Sequence, residues 1–369
     1  MCGIAGVFNN DEACSNVVRA LEVLQKRGRD WFGIADGKNT SSAESIPCLA
    51  LLSSRNVIAH CLHSVVGVVP QPLDHCFVAN CEIYNWEELA RQHGLKVKND
   101  AGLLLGLVKK SLELLSEVDG VYSFAFWHDG KVIIARDIIG EKPLWYSHAD
   151  GFSFASEKKA LVGCLDIVEL NPRKMLVYDV ASDTLHLENR SFFSVRPLHK
   201  GKIEENLLKL LEASVKKRVP ETKFGLLFSG GLDSGVLAVL LKNLGCDFTC
   251  YTAGCIDRER QLPEDLLCAR KAADALGLKL KVVTVDLHNV PDLLKAVVPL
   301  IEDTNVTKVS VALPFFSACR QAKKDGCRVI FSGLGSEELF AGYERHRNSL
   351  DINQECISGL LKMYERDLY

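Results

Sequence analysis

The hydrophobic pattern changes character near residue 200, and this change restricts the chain to two structurally different halves. Before it, short runs rich in Val, Ile, Phe and Tyr alternate with Gly, Asn and Asp turns, which predicts antiparallel sheets with a few helices. After it, apolar strands alternate with amphipathic helices, which predicts a mostly parallel α/β sheet. We expect domains at 1–190 and 203–369, joined by a linker over 189–202 that carries Pro197 and Gly201; a length of 369 residues fits two domains.

The same periodicities place the individual elements. In the first half, strands are predicted at 4–8, 56–62, 77–80, 121–127, 131–136, 152–155 and 175–179, and helices at about 15–26, 85–93 and 101–115. In the second half, helices are predicted at 203–215, 234–244 and 264–277, and strands at 223–228, 248–252, 279–285 and 328–331, the last after a further helix.

Composition excludes several classes of function. Lys and Arg total 44 against 47 Asp and Glu, so no overall positive charge favours nucleic acid. Apolar runs are far shorter than a membrane span, and the N-terminus does not have the pattern of a signal peptide. The 14 cysteines are scattered without a CxxC pair, which favours free thiols and predicts a cytoplasmic location.

A strand-loop-helix pattern at 226–234 is the strongest chemical signal. The sequence Leu-Leu-Phe-Ser-Gly-Gly-Leu-Asp-Ser joins an apolar strand to an apolar helix through two glycines. Backbone N–H groups of such a loop, together with the helix N-terminus, favour a bound anion such as phosphate. Asp233 would repel phosphate alone, which predicts a bridging Mg²⁺. The loop is not a Walker A motif, because GxxxxGK[ST] is absent.

The N-terminus suggests a nucleophile. With Met1 removed, Cys2 carries both a thiol and an α-amine, whose ordinary pKa of about 8 makes it a usable base near neutrality.

Several motifs together resemble the glutaminase domain of asparagine synthetases. They are MCGI at 1–4, RGRDWFG at 27–33, NCEIYN at 80–85, DGVYSFAFW at 119–127, ARDIIGEKPLWY at 135–146 and FASEKKAL at 154–161. The loop at 226–234 and SGLGSEELFAGY at 332–343 resemble the ATP-binding loops of the same family, closest to its asparagine synthetase-related branch. The fold class implied is an α+β, αββα N-terminal-nucleophile amidotransferase domain, followed by an α/β parallel-sheet domain of the adenine-nucleotide α-hydrolase-like (ATP pyrophosphatase) type.

The resemblance also implies the site residues. Cys2 would attack the glutamine amide, Asn80 and the N–H of Cys81 would donate to the oxyanion, and Arg27 and Asp100 would hold the glutamine backbone groups. The implied ATP-binding residues are Leu227, Ser229, Gly230, Gly231, Asp233, Ser234, Ala253, Ser332 and Gly333, and the Mg²⁺ ligands are Asp233 and Glu337.

This sequence departs from the family pattern at five positions. Cys81 replaces a Gly, the strand at 59–63 lacks the carboxylate-binding Arg, Leu334 and Glu337 replace a Glu and an Asp, and Ser310 replaces an Arg. The carboxylate could then be held by His63, Arg27 or Arg29, or the domain could be a scaffold whose partner domain uses free ammonia.

The resemblance therefore implies a glutamine-dependent, asparagine synthetase-like amidotransferase. It would use glutamine, ATP, Mg²⁺ and a carboxylate acceptor, aspartate in the first instance, without nucleic acid or membrane and with a homodimer as a further expectation. Two alternatives stay open: an ATP pyrophosphatase that adenylates another carboxylate, and a pseudoenzyme. His60, Cys61, His63, His75, Cys76 and Cys81 could be zinc ligands or ordinary core residues. Core packing is favoured, because neighbouring residues on a strand face opposite sides of the sheet.

Overall fold

The protein is described by a computed structural model over residues 1–65, 67–192, 202–256 and 263–366, without the side chains of 365 and 366. It divides into two compact units, Met1–Val195 with Leu361–Leu368, and Arg196–Leu360. Within the described ranges, no helix combines the length and the apolar character needed to cross a membrane. All 14 cysteines are free.

The first unit consists mainly of strands. They are β1 (Gly3–Phe8), β2 (Trp31–Ala35), β3 (Thr40–Ala43), β4 (Val57–Leu62), β5 (Phe77–Ile83), β6 (Gly120–His128), β7 (Lys131–Arg136), β8 (Trp145–Ser147), β9 (Phe152–Ala155), β10 (Val168–Glu169), β11 (Lys174–Asp179) and β12 (Thr184–Asn189). Its helices are α1 (Ala13–Leu24), α2 (Trp86–Gln92) and α3 (Asp100–Lys110). The strands form two antiparallel sheets, in the orders β10-β8-β9-β1-β4-β2-β3 and β12-β11-β7-β6-β5. All seven strands predicted for this half are present.

Three apolar layers stack these elements into an αββα sandwich. Helix α1 packs on the outer face of the first sheet, and α2 and α3 pack on the outer face of the second. Between the sheets, Ile4 and Ile58 of the first sheet join Val78, Ala125 and Ile134 of the second in one buried cluster. The αββα architecture expected from the resemblance is confirmed.

The second unit is an α/β structure. Its strands are β13 (Phe224–Leu227), β14 (Thr249–Ile256), β15 (Leu280–Asp286) and β16 (Val329–Phe331). Its helices are α4 (Ile203–Lys216), α5 (Leu232–Asn243), α6 (Glu264–Leu276), α7 (Val290–Ile301), α8 (Val306–Lys324), α9 (Ser336–Phe340), α10 (Glu344–Arg347) and most of α11 (Ile352–Arg366). The strands pair in parallel in the order β15-β14-β13-β16. The parallel sheet predicted from the alternating pattern is confirmed.

The strand order places a topological switch beside β13. From β13 the chain builds outward through β14 to β15 and then returns to add β16 on the other side. In open parallel sheets, ligands bind beyond the carboxyl ends of the strands at such a switch. The loops after β13 and β16 are therefore the expected binding loops.

The end of α11 groups with the first unit, whereas the sequence assigned all of 203–369 to the second domain. Arg173 explains this grouping: its guanidinium donates to the Leu361 carbonyl at 2.8 Å and lies 5.1 Å from the ring centroid of Tyr364. The first unit is thus not contiguous in sequence.

Candidate active site

Cys2 precedes β1 and is held by backbone and ionic contacts. Its Sγ accepts a hydrogen bond from the backbone N–H of His63 at 3.4 Å. The Nε of Arg27 donates to the Cys2 carbonyl at 2.9 Å, and Nη1 of Arg27 pairs with Glu157 at 3.0 Å. These two charged side chains are only 9% and 14% exposed, so the pair fixes the main chain at Cys2. Arg27 is therefore at the predicted site, but its contacts support the nucleophile.

The surroundings of Cys2 favour a neutral amine. Burial, aided by the positive charges of Arg27 and Lys142 and opposed by Cys2, lowers the pKa of the α-amine of Met1 to about 5. Burial raises the pKa of the Cys2 thiol, while the His63 backbone hydrogen bond and the charges of Lys142 and Arg27 oppose this rise. A neutral amine can accept a proton from the thiol, and nearby cations favour the thiolate.

Lys142 is a functional candidate that sequence reasoning did not identify. It is only 6% exposed, and its ion pair with Glu141 is long, at 3.9 Å. The carboxylate of Asp137 accepts hydrogen bonds from the N–H groups of 140, 141 and 142 at 2.7–3.0 Å, which fixes the loop that carries the lysine. The signal was present in the run GEKP, but nothing in a sequence shows that this lysine is buried near Cys2.

Asn80 has the features of an oxyanion donor. It lies on β5 with 2% exposure, and its Nδ2 has no hydrogen-bond partner. It shares a face with Val78, which belongs to the layer between the sheets. A buried amide without a partner is costly, and such a group in a native fold calls for an explanation such as an ordered water, an ion or a functional role.

The N–H of Cys81 points to the edge of β5 that is not paired with another strand. β5 is an edge strand. The residues on either side of it, 76 and 84, form backbone hydrogen bonds with residues 127 and 119 respectively. By alternation, residues 78, 80 and 82 bond to β6, whereas the N–H groups of 79, 81 and 83 point to the free edge. The N–H of Ala79 donates to Gln71 at 2.7 Å and that of Ile83 donates to Asp100 at 3.3 Å. The N–H of Cys81 lies between them on this edge.

Asp100 begins α3 and faces the same region. Asn99 caps the helix, and Asp100 accepts from the N–H of Ile83 at 3.3 Å and of Ala101 at 2.8 Å. Burial raises the pKa of Asp100. Burial also raises the pKa of the Cys81 thiol, and the charges of Asp100 and Cys2 add to the rise. Cys2, Cys81 and Asp100 therefore interact electrostatically at one end of the sandwich.

The histidines and cysteines weighed as zinc ligands are dispersed. Ile58, two residues before His60, faces the layer between the sheets, whereas Cys61 packs with the α1 layer. Both His60 and Cys61 are fully buried. In the described part of the chain, no group of three or more His, Cys, Asp or Glu side chains is arranged to hold a metal ion.

The loop after β13 has the geometry of an anion-binding turn. Gly230 adopts φ +78°, and a Cβ there would lie 2.8 Å from Cα of Ala269. Only glycine fits this position, because the positive φ disfavours other residues and the backbone at Ala269 leaves no room for a Cβ. Ser234 at the start of α5 is buried, and its Oγ lies 3.2 Å from Ser229 Oγ and from the Gly231 carbonyl. This network fixes the loop in front of the unpaired N–H groups of the first helical turn.

The other predicted nucleotide residues lie at the same edge of the sheet. Leu227 ends β13 and Ala253 lies in the second half of β14, and both pack with Tyr251. Ser332 and Gly333 follow β16, and a Cβ at Gly333 would lie 3.0 Å from Cβ of Asp233. The switch beside β13 thus brings the two predicted loops into contact.

The two candidate Mg²⁺ carboxylates have different surroundings. Within the described residues, no hydrogen bond or ion pair engages the carboxylate of Asp233, which is half-buried. Glu337 is also half-buried, with its Cγ 2.8 Å from the position of a Cβ on Gly342. Glu338 is buried and accepts from the Tyr343 hydroxyl at 2.7 Å, which gives it a structural contact. Mg²⁺ commonly binds one or two carboxylates together with substrate phosphates, and Asp233 and Glu337 fit that pattern.

Comparisons with known proteins support both halves of this description. A family model described as a glutamine amidotransferase domain matches residues 1–210, and one described as asparagine synthase matches 206–360. The chain is 29% identical over 417 residues to a putative glutamine-hydrolyzing asparagine synthetase 1 of Methanocaldococcus jannaschii, covering 100% of this chain and 75% of that protein. It is 28% identical over 408 residues to the glutamine-hydrolyzing asparagine synthetase B of Escherichia coli, covering 100% of this chain and 70% of that protein.

A solved structure of a glutamine phosphoribosylpyrophosphate amidotransferase from B. subtilis is also similar, with 17% identity, a TM-score of 0.46, and coverage of 100% of this chain and 98% of that one. The amidotransferase model covers more than half of the chain, and the asparagine synthase model adjoins it. The chain therefore belongs to the glutamine amidotransferase family, as a glutamine-dependent, asparagine synthetase-like member with an ATP-utilising synthetase domain.

Proposed function

We propose that Cys2 hydrolyses glutamine to glutamate and ammonia, and that the ammonia aminates an acyl-adenylate formed from ATP in the second unit. The observation that supports the first step is the combination of a half-buried Cys2 thiol that accepts from the His63 N–H, the nearby positive charges of Arg27 and Lys142, and the unpartnered Nδ2 of Asn80. Aspartate is the proposed acceptor, because asparagine synthetases are the relatives that match over the whole chain.

The first unit supplies the residues for thioester chemistry. With Met1 removed, Cys2 carries its own α-amine beside the thiol, and an α-amine, whose ordinary pKa is about 8, is a usable base that takes the thiol proton near neutrality. The thiolate adds to the amide carbon, and Nδ2 of Asn80 and the N–H of Cys81 donate to the oxyanion. Removing one such donor costs about 3–4 kcal/mol of transition-state stabilisation. The amine returns the proton to departing ammonia, and water then hydrolyses the thioester.

Glutamine is held by its charged ends. The half-buried carboxylate of Asp100 binds the α-ammonium, whose charge favours the ionised acid in a site that otherwise raises its pKa. Arg27 is committed to Glu157 and to the Cys2 carbonyl, so it orients the nucleophile in addition to any contact with the α-carboxylate.

The second unit supplies the residues for adenylation. Ser229, Gly230, Gly231 and Ser234 bind the phosphates, while the loops at Leu227, Ala253, Ser332 and Gly333 line the adenine and ribose site. Asp233 and Glu337 would hold Mg²⁺, which would supply neutralisation of phosphate charge as pyrophosphate leaves.

The test is pyrophosphate release from ATP and Mg²⁺ with aspartate, using either glutamine or ammonium as nitrogen donor. We expect turnover with both donors. Cys2→Ala should abolish only the glutamine reaction, Asp233→Ala should abolish both, and Cys48→Ala, at an exposed cysteine, should affect neither. ATP binding without pyrophosphate release under either donor would refute synthetase activity. Pyrophosphate release that requires a carboxylate other than aspartate would refute aspartate as the acceptor and leave the rest of the proposal in place.

A further inference from the structure

One end of the layer between the two sheets contains a row of polar side chains. Asn80 on β5 lies opposite Ser123 on β6, and Ser123 lies opposite Arg136 on β7. Side chains alternate along a strand, and Val78, Ala125 and Ile134 at the neighbouring same-face positions all belong to the layer between the sheets. The three polar residues therefore follow one another across the inner face of the second sheet.

Each residue of this row has a buried polar atom without a partner. These atoms are Nδ2 of Asn80, Oγ of Ser123 and Nε of Arg136, and their side chains are 2%, 0% and 0% exposed. From the first sheet, His60 adds two ring nitrogens that are also unpartnered and fully buried. A single orphaned group of this kind costs about 1–3 kcal/mol. Such clusters in folded proteins are normally satisfied by ordered water.

The spacing suits bridging by one water molecule in each gap. The register makes Asn80 and Ser123 a hydrogen-bonded pair, with Cα atoms about 5.5 Å apart, and makes Ser123 and Arg136 a non-hydrogen-bonded pair at about 4.5 Å. Within the described residues, Nδ2 of Asn80, Oγ of Ser123 and Nε of Arg136 make no hydrogen bond to one another. Water needs two to four polar partners in a confined site, and this row provides them.

The donors and acceptors of the row have one consistent direction. Nε of Arg136 can only donate, the Ser123 hydroxyl can accept and donate, and Oδ1 of Asn80 can only accept. Hydrogen bonds running from Arg136 through Ser123 to Oδ1 leave Nδ2 of Asn80 as the free end. Arg136 is fixed, because its Nη1 donates to Glu169 at 2.8 Å and to the Leu170 carbonyl at 3.1 Å. The guanidinium charge polarises the row and strengthens donation by Nδ2.

We propose that Ser123 and Arg136 are positioning residues that, through ordered water, orient the Asn80 carboxamide so that Nδ2 donates to the oxyanion formed on glutamine. The proposal rests on the proposed glutaminase function of Cys2. It assigns the hydroxyl of Ser123 a role in the transition state, because the row acts on the oxyanion and not on bound glutamine.

The kinetic test is a double-mutant cycle on glutamine hydrolysis, measured as glutamate release. Ser123→Ala should lower kcat about tenfold, the equivalent of one hydrogen bond, with KM changed less than twofold. Ser123→Thr, which keeps the hydroxyl, should recover most of this loss. In the Asn80→Ala background, Ser123→Ala should have no further effect. The control is Ser153→Ala, at another buried serine on β9 outside the row, which should leave kcat unchanged.

Several results would overturn the proposal. They are an unchanged kcat in Ser123→Ala, an equal loss in the Asn80→Ala background, or a rise in KM alone. A high-resolution crystal structure gives a reading independent of activity: ordered water should bridge Arg136, Ser123 and Asn80, and the water next to residue 123 should be absent in Ser123→Ala. If the wild-type chain hydrolyses no glutamine, the proposed function fails, and the crystal structure alone then tests the positioning role of Ser123 and Arg136. The absence of the bridging waters would refute that role.

Discussion

His60 gives the first unit a specific sensitivity to acid. Its ring is fully buried, both nitrogens lack partners, and burial lowers its pKa from 6.5 to about 3. Between these values the unfolded chain binds a proton that the folded chain does not, so stability is retained above pH 6.5 and falls as the pH is lowered toward 3. At pH 5 the loss from this residue is about 2 kcal/mol relative to pH 7.5.

His60→Leu removes the titration and the two orphaned nitrogens at similar volume. The Ala79 backbone opposes the shift caused by burial, so its contact with the ring is a weak one, and we expect the variant to be about as stable as the wild type at pH 7.5. Between pH 7.5 and pH 5 its free energy of unfolding should fall by about 2 kcal/mol less than that of the wild type. His75→Leu, at an exposed position, should lose as much as the wild type.

Urea unfolding followed by tryptophan fluorescence is the suitable assay. The four tryptophans are at positions 31, 86, 127 and 145, all within Met1–Val195, so fluorescence reports the first unit alone. Equal losses in wild type and His60→Leu between the two pH values would refute the reasoning. They would mean that water or local opening solvates the ring enough to keep its pKa near normal.

Three further predictions concern the two sites. Gly230→Ala should weaken ATP binding more than tenfold, because φ +78° and the close backbone of α6 exclude a Cβ. The control Gly235→Ala, where an added Cβ would have no atom within 4 Å, should bind ATP normally. Calorimetric titration with ATP compares the two variants, and equal affinities would contradict the steric argument. Asp100→Asn should raise KM for glutamine more than it lowers kcat, and steady-state kinetics that show only a kcat loss would place the carboxylate elsewhere. Lys142→Met should slow alkylation of Cys2 by iodoacetamide at pH 8, because loss of the positive charge lets the pKa of the thiol rise. An unchanged pH profile of alkylation would show that Lys142 does not act on the Cys2 thiol.

The sequence predicted elements best where one face is buried and the other is not. β1, β4 and β7 followed from runs of aliphatic residues bounded by turns, and α4 followed from its apolar spacing. β2 is absent from the predicted strands, because its five residues follow Arg29 and Asp30 directly and are apolar without alternation. β3 reads Thr-Ser-Ser-Ala and pairs only at the edge of the sheet, where polar residues carry no pattern.

The candidate sites divide in the same way. Residues within local motifs, such as Cys2 and the loop at 229–234, could be predicted because the chemistry lies in adjacent positions. Lys142 and the row beside Asn80 could not, because they depend on which strands become neighbours and which side chains become buried. The Cys81 N–H required the pairing of β5 with β6 before its free edge could be identified.

The placement of the α11 terminus has a consequence for synthesis of the protein. Arg173 finds its partners at Leu361 and Tyr364, 188 residues later for the carbonyl contact. A chain synthesised only as far as residue 195 has formed neither of these contacts. Arg173 obtains them only once the last turns of α11 have been synthesised. A protein fragment that ends at the linker would lack the Arg173 contacts with Leu361 and Tyr364 permanently.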